Sequence, residues 1–293
     1  MISIIGLVVV FGAVVGGYLM EKGNIMVLLQ PAELLIIGGA AVGTVLVGNP
    51  PYILKAIFSG LAGVLKGSGY TRKRYCDTLK MFYDLFSLGR RNGLAALETD
   101  IEDPFKSQIF TAYPAIMSNH HVRDFICDTM RTATTGSVEP FDIDQMMELD
   151  MEKHHQAATQ PVAALSTMAD ALPGLGIVAA VLGVVITMGA LGGPPEEIGR
   201  KVAAALVGTF LGILICYGLL GPISSNMAKI ADDEESYYHV LRVCMMGFVK
   251  GLAPILAVEA GRRAVPGHVR PPFKELESLC RNKAAVAQVS SAA

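Results

Sequence analysis

The sequence predicts an all-α integral membrane protein: four transmembrane helices with a large cytoplasmic helical domain built on extensions of the third and fourth membrane helices. Three observations carry this expectation. Two apolar runs, residues 171–191 and 202–222, each match the ~20 apolar residues that a helix needs to cross a bilayer. Two further apolar runs lie near the N-terminus, at 2–20 and from 34 onward. Charged residues make up only 17% of the 293 residues and cluster between and after these runs, while apolar residues reach 52% and the mean hydropathy is +0.46.

The run at 2–20 lacks the basic start and small-residue cleavage site of a secretory signal, so it is expected to stay in the mature protein as a membrane helix. Its Gly12 and Gly16 stand at GxxxG spacing and, with Gly6 and Gly17, mark a face for close packing. A short polar loop, 21–31, leads to the second run. The uninterrupted part of that run, 34–47, is short for a span, and an extension through Pro50-Pro51 toward Phe58 is expected, kinked at Pro51. Membrane helices 1 and 2 thus occupy 1–58.

Lys55, Lys66, Arg72, Lys73 and Arg74 follow the second run closely, whereas the first loop offers only Lys22 and the later hairpin only Arg200 and Lys201. Cytoplasmic loops carry the excess of lysine and arginine. The insert at 59–160, the chain after Pro222 and both termini are therefore expected in the cytoplasm. Within the insert, Tyr75, Leu79, Phe82 and Phe86 form the stripe of an amphipathic helix that ends at Gly93. A short helix over 94–99 and further helices over 105–113 and 121–131 follow. From Asp142, a candidate N-cap, the pattern stays helical to Gln160 and continues past Pro161 into the third span, a rod of ~50 residues or ~75 Å.

Membrane helices 3 and 4 occupy 161–222. The connector, 192–201, is long enough only for a tight hairpin, so the two helices should lie antiparallel and touching. Gly174, Gly176, Ala180 and Gly183 on one helix, and Gly208 with Gly212 on the other, are the small residues that such a contact in lipid requires. Pro173 and Pro222 each remove a backbone donor, which fits either a packing kink or a bend lining an ion path. Thr209 and Tyr217 offer hydroxyls for such a path, or bond back to the helix and anchor at the interface. The fourth helix should run on through 223–264, interrupted by Pro254. The rest, 265–293, is Pro-rich and then polar, and is expected to be disordered.

Ionisable residues inside a membrane are functional candidates by default. No acid, lysine or histidine lies midway along a span. Asp170, at the cytoplasmic entry of the third helix, and Glu33, at the outer entry of the second, are the candidates for entry to or exit from an ion path. A proton-moving role would therefore need a titrating group from a partner. The net charge of −2 and pI near 6.3 give no basic face for nucleic acid. Five scattered cysteines without CxxC spacing build neither a disulfide framework nor a zinc site. The adjacent pairs His120-His121 and His154-His155 point about 100° apart on a helix, which makes them poor joint metal ligands and places them on solvent-exposed faces. With no Walker loop, GxSxG or HExxH, neither an enzyme nor a bound cofactor or metal is expected.

Residues 205–222, ALVGTFLGILICYGLLGP, join Ala205, Gly208-Thr209, Gly212, Tyr217 and Pro222 in one segment. Around it stand GGYL at 16–19, QPAE at 30–33, Arg90, Glu98, and DALP at 170–173 followed by GIVAAV. In these landmarks, and over almost the whole chain, the sequence resembles the MotA/PomA family, the A subunits of the bacterial flagellar motor stator. The resemblance implies an inner-membrane, proton-driven unit of flagellar rotation and chemotaxis, in which five A subunits surround two single-span MotB-type subunits whose aspartate titrates. It implies that Pro173, Ala180, Thr209, Tyr217 and Pro222 line the site of that aspartate. It also implies that Arg90 and Glu98, with Asp150 as a weaker third, contact the rotor protein FliG. Ala180 stands where sodium-driven relatives carry threonine, which favours H+ as the transported ion. The alternatives are an ExbB/TolQ-like energiser of envelope transport, a class with typically three spans, and a structural membrane scaffold.

Overall fold

The computed structural model describes residues 2–189 and 192–282. The chain divides into an apolar unit, residues up to Gly67 with Ala157–Ala231, and a polar unit, Ser68–Gln156 with the chain from Asp232 onward. Among the described residues, four helices are long and apolar enough to cross a membrane. The expected fold class holds.

The apolar unit begins with α1 (Ile2–Met20) and the single turn α2 (Ile25–Leu28), where the Asn24 side chain accepts from the Met26 N–H. Next come α3 (Pro31–Gly48) and α4 (Pro51–Lys66). α3 opens earlier than its apolar run because Pro31 sits at the first helical turn, where its missing N–H leaves no bond unmade. The expected continuation through Pro50-Pro51 is not made. A residue before proline is kept out of the helical region, and both Asn49 and Pro50 are extended, so the chain restarts as a separate helix. α4 is amphipathic, burying Ile53, Ile57 and Val64 while Lys55 and Phe58 are exposed.

The unit is completed by part of α10 (Pro140–Met188), α11 (Pro195–Ile215), a π-helical turn (Cys216–Leu220) and the start of α12 (Gly221–Val249). α10 is one helix of 49 residues that accommodates both Pro161 and Pro173. It begins two residues before Asp142, which is a first-turn acid and not a cap. Ile37, Ala41, Ala169, Leu172, Ala179 and Cys216 form one small core, and Ile53, Ile57, Val64, Ala164, Leu165 and Met227 a second. Val9, Leu35, Val47 and Ile186 remain exposed, the pattern of helices whose outer faces meet lipid or other chains.

The polar unit is a water-type core. α5 (Arg72–Asn92) starts at Thr71, whose hydroxyl accepts from the Arg74 N–H, and stops at Gly93, where φ of +85° suits a residue without Cβ. α6 (Ala95–Glu102), α7 (Gln108–Thr111), α8 (Pro114–Met117) and α9 (His120–Thr134) follow. The helix expected over 105–113 is reduced to α7, because the Ser107 side chain accepts from the Ile109 and Phe110 N–H groups and so starts the helix there, and α8 begins anew at Pro114. α12 stops at Val249, short of the expected end, because Gly251 turns the chain with φ of +81° before Pro254 opens α13 (Pro254–Ala264).

The tail expectation needs correction. Phe273–Asn282 forms α14, with Leu276 and Cys280 buried in the core against α5 and Arg72 paired with Glu275. Two apolar residues four apart are enough to dock so short a helix on a prepared groove. The remainder of the expected disordered segment, 283–293, lies outside the described residues. All five cysteines are free and buried.

Candidate functional site

In the apolar unit, α10 and α11 meet backbone to backbone. A Cβ added at Gly176 would stand 2.9 Å from the Gly208 carbonyl oxygen and 3.3 Å from the Cα atoms of Thr209 and Gly212. At Gly212 it would stand 2.5 Å from the Leu172 carbonyl oxygen, and at Gly183 2.7 Å from the Ala205 Cβ. Gly176, Gly183, Gly208 and Gly212 are thus the seam, whereas Gly174 faces open space. The GxxxG glycines of α1 also face open space within the chain.

The seam brings together three of the residues singled out by sequence. Thr209 contributes its backbone opposite Gly176, Ala180 its backbone nitrogen 3.4 Å from a Cβ built at Gly208, and Glu33 a carboxylate oxygen 2.8 Å from that same point. Glu33 lies in the first turn of α3, where the helix dipole favours an acid, and is only 7% exposed. Its Oε2 makes no hydrogen bond among the described residues. A buried carboxylate oxygen is costly unless it is paired or the group is neutral. Asp170 is exposed on α10, and Pro173, half-buried, lies three residues before Gly176 on the same helix.

Tyr217 and Pro222 are placed differently. Tyr217 sits on the π-helical turn and is 72% exposed. The Gly221 N–H bonds the Cys216 carbonyl five residues back, widening the helix just before Pro222, the residue that cannot donate. Pro222 lines an apolar groove of about 430 Å3 with Gly6 and Val10 of α1 and Leu61 and Val64 of α4. Sequence reasoning located the proline but not the π turn, for which Pro222 was the available signal.

In the polar unit, Arg90 and Glu98 flank the turn between α5 and α6, and both are exposed. Gly89 allows the turn to close, since a Cβ there would stand 2.7 Å from Leu97 Cδ1. The Arg90 Nη1 donates to the Gly251 carbonyl at 3.3 Å, and Glu98 borders a shallow groove beside the Arg131–Glu102 pair. Asp150 is exposed on α10, where it borders a different depression with Asp128 and Thr132 of α9.

The expectation of exposed faces holds for His120 and His121 but not for His154 and His155, which are half-buried. His154 is half-buried, with its ring 5.1 Å from that of His121 and 4.7 Å from that of Tyr238. Its Nε2 lies 3.3 Å from Glu234, and His155 Nδ1 lies 3.4 Å from Glu235. Burial pushes the Glu234 carboxyl up, but hydrogen bonds from His154 and Tyr70 outweigh it and hold the group below the usual carboxylate range. The partners are about eighty residues apart in sequence, so no local pattern announces them.

Residues 4–93 match the family model described as Motility protein A N-terminal, and residues 117–239 match the MotA/TolQ/ExbB proton channel family. Motility protein A of Escherichia coli strain K12 is 39% identical over 281 residues, covering 96% of this chain and 95% of that protein. The Chemotaxis protein LafT of Vibrio parahaemolyticus is 35% identical, covering 93% of this chain and 96% of that one. Among solved structures, C. jejuni MotAB matches with a TM-score of 0.75 at 20% identity, covering 92% of this chain and 96% of that one. The flagellar MotAB stator complex from Bacillus subtilis matches with a TM-score of 0.71 at 24% identity, covering 87% and 92%.

Proposed function

The chain belongs to the motility protein A family, and from that premise we propose that it is the A-type subunit of a flagellar motor stator, coupling proton flow across the inner membrane to torque on the rotor. The observation that carries this reading is the α10–α11 seam: Ala180, Thr209 and the buried Glu33 gather there, while residues 171–189 and 202–222 contain no Asp, Glu, Lys, Arg or His. A wall of this kind conducts only with a titrating group lent by a companion, a single-span MotB-type subunit supplying an aspartate. Pro173, Tyr217 and Pro222 complete the lining, and Asp170 and Glu33 stand at its ends. Protonation of the lent carboxylate removes a buried charge, and each elementary charge crossing releases ~2.3 kcal/mol per 100 mV, enough to bias a small rotation.

In this reading five copies surround two partner chains, and the polar unit and both termini face the cytoplasm, following the Lys and Arg cluster after α3. Proton transport is favoured because Ala180 brings no side-chain oxygen for sodium. Arg90 and Glu98, with Asp150 as a weaker third, contact FliG. Exposed ion pairs are worth only ~0–1 kcal/mol each, which suits a contact that must form and break at every step. The match of residues 4–93 to the motility N-terminal model favours rotation over envelope energising. The chain works as an ion-driven machine and not as an enzyme.

Two experiments test the proposal. The double reversal Arg90→Glu with Glu98→Lys should abolish most swimming torque while membrane assembly with the partner persists; unchanged torque sinks the rotor contact. Proton uptake into vesicles should require both subunits, and steady uptake through this chain alone would overturn the lent-acid scheme.

A further inference from the structure

His155, Asp232 and Glu235 form a second cluster that the ion path and the rotor contact do not use. Asp232 and Glu235 stand three apart on α12, hence on one face, and His155 reaches them from α10. One ligand atom from each lies within 4.8 Å of the others. From this juxtaposition, we propose that His155, Asp232 and Glu235 form a binding site for a first-row divalent metal ion of the zinc class, tying α10 to α12 within the polar unit.

The convergence of three ligand side chains, not two, sets this cluster apart from an ordinary ion pair. The His155 Nδ1 to Glu235 Oε2 separation is 3.4 Å, longer than the ~2.7–2.9 Å of a charge-assisted hydrogen bond. It equals the ligand-to-ligand edge of about 3.4 Å in a tetrahedral site with bonds of about 2.0–2.1 Å. Asp232 places a third ligand atom within 4.8 Å of both, near enough for a side-chain rotation to close the third corner. The neighbouring His154–Glu234 pair is spaced alike, at 3.3 Å, but joins no third ligand in such a cluster among the described residues. Glu234 is bonded by Tyr70, and His154 packs against the rings of Tyr238 and His121, so that pair is absorbed by the core.

The donor set decides the ion class. An imidazole with two carboxylates favours zinc, cobalt or nickel over magnesium and calcium, which prefer all-oxygen shells. The His155 Nδ1 is itself buried while the Glu235 side chain is 51% exposed, so water would reach the fourth position from the carboxylate side. Three protein ligands with one water is the arrangement of an accessible zinc site, not of a closed structural one. Metal bound there links helix positions far apart in sequence and raises the stability of the polar unit by mass action.

The test uses the full chain purified with its B-type partner, freed of affinity tag and stripped with a chelator. Zn2+ titration by calorimetry and Co2+ titration by visible absorption should show one saturable site per chain, with Zn2+ displacing Co2+ and raising the melting temperature. His155→Gln, Asp232→Asn and Glu235→Gln should each weaken binding by at least about tenfold, while Glu234→Gln leaves it unchanged. Glu235→His should tighten it, a gain that a damaged fold cannot produce. Absence of saturable binding, or binding that is the same in His155→Gln and Glu235→His as in the parent, would leave an ordinary ion pair and overturn the site.

Discussion

Between α10 and α11 in the apolar unit, a Cβ at Gly212 would come within 2.5 Å of a backbone carbonyl, whereas in the polar unit the rings of Phe86 and Phe248 stack at 4.5 Å to join α5 to α12. The first contact excludes side chains and the second is made of them. Lipid tails are as apolar as leucine, so burying a large side chain between membrane helices gains little and close backbone approach takes its place. In water the same burial contributes ~25 cal/mol per Å2. Tyr75, Phe82, Phe86, Phe110 and Tyr237 are accordingly buried in the polar unit, while the apolar unit turns Val9, Leu35 and Ile186 outward.

This contrast can be broken from either side, and the seam should break hardest. Gly212→Val meets fixed backbone with no flexible atom to yield, so it should abolish assembly with the partner and motility; normal co-purification of the complex would show that the seam is loose. In the polar unit, Phe86→Ala removes a fully buried ring and should cost about 3–5 kcal/mol, seen as a lowered melting transition, while leaving the membrane helices inserted.

Acid should separate the units by a smaller margin. The hydrogen bond from Arg242 holds the Asp144 carboxyl low, and that from Arg262 does the same for Glu259. A depressed acid contributes stability that is complete above its unfolded pKa of roughly 4 and is lost as pH falls through the lower folded value. The melting temperature of the polar unit should therefore drop below about pH 4, and Asp144→Asn should flatten that drop; a pH-independent transition would show that these pairs contribute nothing. The smallest effect is expected at the end of α5. Gly93→Ala forces a Cβ into φ of +85° with nothing within 4 Å to clash, so it should cost about 1 kcal/mol in melting experiments from backbone strain alone.

Legibility followed the range of the interactions. The apolar runs and the small-residue sets that contain the seam glycines Gly176, Gly183, Gly208 and Gly212 were readable because they depend on length and spacing within one stretch. The stripe ending at Gly93 was readable for the same reason, whereas the connector expected over 192–201 is cut short because α11 already begins at Pro195. Missed were the restart of the helix at Pro51, the π turn before Pro222 and the docking of Leu276 and Cys280, where the outcome depends on what the rest of the chain offers. Within the candidate site, Thr209 and Ala180 were placed by motif, but that Glu33 reaches Gly208 was not, since α3 and α11 are distant in sequence and meet only in the fold.

Sequence by itself determined that this chain holds helices long and apolar enough to cross a membrane, that no acid waits midway along them, and to which family it belongs, because hydrophobic length and motif order are properties of the linear chain. Tertiary structure alone decided which glycines form the seam, that the carboxylate of Glu33 ends beside Gly208, and that His154 and His155 meet Glu234 and Glu235. Those are pairings between helices, set by shape and by the need to satisfy buried polar groups, and they exist only once the chain has folded.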